Sequence, residues 1–255
     1  FHAKLEVKRG NIEVGKKLLL EIIETPNIKS ENAVKELAYE LQREGKINES
    51  LALYDRVLEI DPNLAVVWVY KGNIHFLKKQ FDEALTSYTK ATNLDPTLAP
   101  AWTYRGLTLV QYGNFDEAMD NYDRAIAIDP DFSIALKNKG DLLAYQGNYD
   151  EAYHLYDRAV SIDPQFISAA IAHGDLAYRL GNYSIALESY DYALSIDPNN
   201  WYVLSQKGNI LTQLGRSEEA IAIYEQAANL PPDNPAARPP VRDAGSGRRL
   251  SPGSC

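Results

Sequence analysis

Apolar residues in the stretch 99–132 fall at two sets of helical spacing, separated by one glycine. Before Gly113 stand Trp102, Leu109 and Val110, with Gly106 between them; after it come Phe115, Ala118, Met119, Tyr122, Ala125 and Ile126. Steps of three and four residues place each set along one side of a helix. Gly113 suits the left-handed residue that ends a helix. Asn114 is expected to cap the next one, with Asp116 and Glu117 in its first turn facing the positive end of the helix dipole. Asp129-Pro130 stops the second helix, because proline lacks an N–H and keeps the residue before it out of helical geometry. The stretch therefore reads as a helical hairpin.

The same hairpin recurs at an interval of 34 residues. Pro62, Pro96, Pro130, Pro164, Pro198 and Pro232 keep that spacing, as do Tyr54, Tyr88, Tyr122, Tyr156, Tyr190 and Tyr224. Gly72, Gly106, Gly140, Gly174 and Gly208 follow it too. A fixed period of this length marks an array of one supersecondary unit. Small residues such as Gly106 and Ala118 let the two backbones approach, while Trp102 and Tyr122 fill the space beside them. One hairpin cannot cover its own apolar side, so neighbours must stack.

These marks resemble the tetratricopeptide repeat, whose Trp, Gly, Tyr/Phe, Ala and Pro positions match over about residues 31–234. The resemblance implies an all-α fold, a right-handed superhelical solenoid of antiparallel helix pairs. The units run 31–64, 65–98, 99–132, 133–166, 167–200 and 201–234. Departures are local: Val34, Ala38 and Ser50 in the first unit, Lys79 at a turn glycine, and Leu136, Ala170 and Leu204 at the Trp place. Residues 1–30 look like a truncated leading unit, with Gly10, Asn11 and Ile12 at its turn, so the chain is expected to be a fragment. Residues 235–255 carry many Pro, Gly and Arg and no aromatic residue, which suits a flexible tail. With no amphipathic helix after the last unit, Ala220, Ile223 and Ala227 are expected to leave an apolar end open to end-to-end association.

Charge narrows the partners. The chain carries a net −9, although both ends are net basic. Acidic repeats are a poor match for a phosphate backbone, which binds through Lys and Arg, so nucleic acid is disfavoured. No apolar run reaches the roughly 18 residues that a membrane span requires. The single cysteine, Cys255, and the lack of a leader set the expectation of a reducing, cytoplasmic compartment.

No catalytic motif is present: no Walker loop, paired-His zinc helix, nucleophile elbow or cysteine pair. Asp129, Asp131 and Ser133 mimic the start of a calcium loop, but Ile134 and Gly140 occupy the places of its glycine and closing glutamate. His75, His154 and His173 are scattered over different units, against a metal site. The expectation is no enzyme, no metal and no cofactor. One ladder stands out. Lys71, Arg105, Lys139, His173 and Lys207 recur just before the first glycine of each hairpin. Either their stems pack between hairpins with the charges reaching nearby carboxylates, or they form a cationic stripe for an acidic ligand.

In the family, first helices line a concave surface that holds a peptide or a partner's helix. The matching places here are Val66, Val69, Tyr70, Asn73, Phe76 and Leu77, then Thr103, Tyr104, Leu107 and Val110. They continue with Lys137, Asn138, Asp141 and Tyr145, and with Asp175, Tyr178, Arg179, Tyr202, Gln206, Asn209 and Gln213. Chaperone-binding members use a Lys/Asn/Asn/Lys/Arg clamp for a terminal carboxylate. From Lys137 the corresponding places read Asp141, Ala172, Tyr202 and Gln206; from Lys35 they read Tyr39, Tyr70, Pro100 and Tyr104. That clamp is absent. The resulting expectation is a non-catalytic scaffold binding a protein or peptide in its groove. The alternative is a substrate-recruiting arm of a larger enzyme, such as a glycosyltransferase, or an effector-sensing regulator.

Overall fold

The computed structural model describes residue 41 and residues 45–230. The expected leading unit, the first helix of residues 31–64 apart from Leu41, Pro232 and the 235–255 tail with Cys255 lie outside the described residues. The chain divides after Gln146 into two units. The first holds α1 (Ile47–Ile60), α2 (Ala65–Leu77), α3 (Phe81–Leu94), α4 (Ala99–Gln111), α5 (Phe115–Ile128) and α6 (Ser133–Gln146). The second holds α7 (Tyr149–Ile162), α8 (Ile167–Arg179), α9 (Tyr183–Ile196), α10 (Trp201–Gln213) and α11 (Ser217–Ala228). No strand occurs among the described residues. The tightest pairings are α2 with α3, α4 with α5, α8 with α9, and α10 with α11, an all-α tandem array of hairpins.

The turns at Lys79, Gly113, Gly181 and Gly215 follow one hydrogen-bond scheme. Gly113, at φ +75°, donates its N–H to Val110 O, and Asn114 N–H reaches Leu109 O. These two bonds satisfy the last free carbonyls of α4. Lys79 adopts the same left-handed geometry, φ +58°, without glycine's freedom. The expected asparagine cap is not formed: the side chains of Asn114, Asn148 and Asn182 make no capping bond. In a turn this short, Asn114 closes α4 through its backbone and begins α5, so its ψ of 65° falls short of the extended geometry that capping uses. Asn200, in the longer connection between repeats, does cap, accepting from Val203 N–H at 3.2 Å.

Between repeats the aspartate before proline does more than end a helix. Asp61, Asp95, Asp129, Asp163 and Asp197 each accept, through Oδ1, the N–H two residues on. This side-chain turn replaces the bond proline cannot make. It also accounts for the calcium-loop mimic, since Asp129 Oδ1 takes the Asp131 N–H at 3.1 Å.

Inside the hairpins, glycine meets tyrosine. A Cβ built on Gly106 would lie 2.8 Å from Tyr122 Cε1, and one on Gly174 would lie 2.7 Å from Tyr190 Cε1. Both rings are buried, and the alanines one turn before and after them, Ala118, Ala125, Ala186 and Ala193, are fully enclosed. Hairpins are then tied to each other. Trp68 and Trp102 donate Nε1–H to Pro62 O and Pro96 O, both at 2.9 Å. Lys90 and Arg124 cover their indole rings at 4.2 and 4.8 Å from the centroids.

Candidate partner-binding site

In the first unit, α2 contacts α4 and α4 contacts α6, so successive first helices form one layer. That layer positions the expected groove residues, but not all of them at the surface. Val69 is 3% exposed in a core cluster with Tyr88 and Ala101, and Thr103 is fully buried, its hydroxyl bonded to Ala99 O. Asn138 is only 8% exposed as well, so none of the three lies open at the surface as expected. A first helix packs against its own second helix and against both neighbouring first helices, so its free stripe is narrower than the i, i+3, i+4, i+7 spacing suggests. Tyr70 and Tyr104 lie half-buried against Tyr54 and Tyr88, with ring centroids 5.9 Å apart in each pair. Phe76 meets Phe81, and Leu77 is 67% exposed.

Five of the expected residues come together, Val110 among them. Leu107, Asn138, Asp141 and Tyr145 surround a cavity of about 500 Å³ between α4 and α6, floored by Phe115, Tyr122 and Leu142. Its origin is local. Tyr88, Tyr190 and Tyr224 donate their hydroxyls to Asn73, Asp175 and Asn209, fifteen residues before them. At the corresponding place facing Tyr122 the third repeat carries Leu107, which offers apolar surface instead of an acceptor. Burial, then the nearby Asp141 charge, pushes the Tyr122 phenol well above its ordinary pKa, keeping it a neutral donor. Tyr145 stays 72% exposed while stacking at 5.1 Å on Phe115. Lys137 bonds Asp141 at 2.6 Å, giving the rim a paired charge.

The second unit presents a polar counterpart. Asp175 accepts from Tyr190 at 2.6 Å and from Tyr202 at 2.8 Å. Burial and Asp175 together push the Tyr202 phenol up to about 12. Gln206 donates to Tyr202 and accepts from Asn209, while Gln213 donates to Tyr178. Arg179 is exposed and lies 5.4 Å from the Tyr149 ring. These side chains are held in place by one another.

The cationic ladder resolves into ion pairs. Lys71, Lys139 and Lys207 meet Asp55, Asp123 and Asp191, sixteen residues earlier, at 2.5, 2.8 and 2.5 Å. Arg105 finds Thr89 at that offset and turns to Glu117 instead, at 2.8 Å. Among the described residues, no group of three or more His, Cys, Asp or Glu could hold a metal ion. No helix there is long and apolar enough to cross a membrane.

Comparison with known proteins agrees with the geometry. Tetratricopeptide repeat models match residues 99–132, 133–166 and 171–235, and a TPR repeat model matches 72–113. A search of curated proteins finds no match. Among solved structures, PilW, described as a widely conserved type IV pilus biogenesis factor, superimposes with a TM-score of 0.68 at 25% identity, covering 82% of this chain and 97% of its own. MamA gives 0.52 at 25% identity, over 63% of this chain and 94% of its own. PilF of Pseudomonas aeruginosa shares the fold at 19% identity, with a TM-score of 0.67 over 81% of this chain and 94% of its own. With the repeat models covering more than half of its length, the chain belongs to the tetratricopeptide repeat family.

Proposed function

We propose that the protein is a non-catalytic interaction scaffold that anchors an apolar or aromatic side chain of a partner peptide on the first helices α4 and α6. The observation that carries this reading is the cavity beside Leu107, with Tyr145 exposed at its mouth and Asn138 and Asp141 at its rim. Apolar walls supply affinity and a few fixed polar groups orient the chain, the usual division of labour in a ligand pocket. Tyrosine adds contact area at low entropic cost. PilW, at 25% identity, is described as a biogenesis factor, which fits a protein that brings others together. The acidic repeats favour protein over nucleic acid as partner.

The test begins with a displayed peptide library selected against the protein, followed by fluorescence anisotropy. Leu107→Asn installs the residue that sister repeats use, giving Tyr122 an acceptor and the cavity a polar wall. Tyr145→Ala removes the exposed ring. Both should weaken the selected peptide by about tenfold or more, a loss of roughly 1.4 kcal/mol, with unchanged melting temperature. Unaltered affinity in both variants would contradict the proposal.

A further inference from the structure

A second cavity, of about 300 Å³, opens in the second unit on the side formed by the second helices α7 and α9. It shares no lining residue with the cavity beside Leu107 and is independent of the function proposed above. Tyr153 and Asp157 come from α7, Ala170 and His173 from α8, and Glu188 and Tyr192 from α9.

Sister repeats carry larger side chains at this place, Leu136 and Leu204 in the fourth and sixth. Where Ala170 stands, the second and third repeats carry Trp68 and Trp102. Where His173 stands, three repeats carry the lysines that meet Asp55, Asp123 and Asp191. Asp157 occupies that aspartate's place here. The fifth repeat therefore carries neither an indole nor an ammonium here, while the fourth still supplies the carboxylate that an ammonium would meet. Glu188 adds a second one. Neither Asp157 nor Glu188 has an ion pair or hydrogen bond among the described residues.

His173 does not substitute for the missing lysine. Ser189 donates its hydroxyl to Ile185 O at 2.9 Å, so its oxygen is an acceptor for His173 Nδ1–H at 2.8 Å. The ring is thereby directed at α9, with the Tyr153 ring tilted 45° against it, centroids 4.2 Å apart. Its Nε2 has no hydrogen-bond partner. Burial holds the ring's pKa below the ordinary histidine value, opposed by Asp157 and Glu188, so the imidazole is uncharged at neutral pH. The wall is left apolar and aromatic, with two carboxylates and no compensating cation.

We propose that this cavity binds an organic cation, an ammonium or guanidinium on an aromatic or aliphatic body, in the place where the second repeat folds in its own Trp68 and Lys71. Such a group is supplied either by a basic side chain of a partner or by a free arylalkylamine. Both share the features that the site selects: a flat or extended apolar stem for the space beside Ala170, and N–H donors for Asp157 and Glu188.

The test uses the whole chain and two probes, tryptamine and a capped Trp-Lys dipeptide, followed by calorimetry and by NMR shifts of the His173 ring. Indole-3-propionate, with the same ring and opposite charge, is the control. Ala170→Trp plugs the cavity, His173→Lys supplies an internal ammonium, and Asp157→Asn removes the charge without changing shape. The wild type should bind both cations saturably and the control at least tenfold more weakly. Each variant should weaken cation binding about tenfold or more. Tighter binding of the dipeptide assigns the site to a partner's side chain, and tighter binding of tryptamine to a free amine. If Ala170→Trp does not fold, the other two variants carry the result. No saturable shift with either cation, equal binding of the anionic control, or wild-type affinity in the variants would overturn the proposal.

Discussion

The third and fifth repeats build the same pair of helices and finish the space beside it in opposite ways. In the third, Trp102 fills the gap, its N–H tied to Pro96 O and its ring covered by Arg124, while Arg105 reaches Glu117. In the fifth, Ala170 and His173 stand at those two places and a cavity remains. Yet the interior of both hairpins is the same, glycine against a buried tyrosine ring. The elements that make a hairpin are therefore separable from those that seal one hairpin to the next. Variation in the sealing residues leaves the hairpin interior unchanged and opens a cavity beside Ala170.

Trp102→Ala should break the comparison most severely, by giving the third repeat the fifth repeat's gap. Losing a nearly buried indole costs about 3–5 kcal/mol, read as a lower midpoint in urea unfolding. Next come Gly106→Leu and Gly174→Leu, which press a side chain into Tyr122 and Tyr190. Each should destabilise by about 1–3 kcal/mol, and by similar amounts, because that interior is shared. A large difference between them would show that the hairpins are not equivalent inside. Ala170→Trp runs the other way. Filling the fifth repeat's cavity should raise stability by about 0.5–2 kcal/mol, seen as a higher melting temperature. Lys139→Met is the mildest, since its Asp123 partner is 53% exposed. It should cost less than about 1 kcal/mol, and a larger loss would make the inter-repeat ion pair a structural necessity.

Much of this architecture was legible because it depends on residues that act alone. A left-handed turn favours glycine, a close helix approach calls for Gly106 and Ala118, and an Asp-Pro step ends the helix before it. The candidate sites were less legible because they depend on residues acting jointly. Val69 and Thr103 share the spacing of Tyr104 and Leu107 but are buried, since packing on three sides narrows the free stripe. Asn114 has the right chemistry for a cap, but its backbone is committed to the preceding turn. The aspartate before each proline signals a side-chain turn as well as a helix end. The fifth repeat's cavity was hidden because Ala170 and His173 each look like a mild departure. Only when paired, three residues apart on one helix, do they remove a ring and a charge from one place.

The central claim is that partners dock on the first helices, at the cavity beside Leu107. Hydrogen–deuterium exchange with a selected peptide tests it most directly. Slower exchange is expected in α4 and α6, centred on Leu107 and Tyr145, with no such change in Leu107→Asn. Protection confined to the second helices, or unaltered by Leu107→Asn, would contradict it.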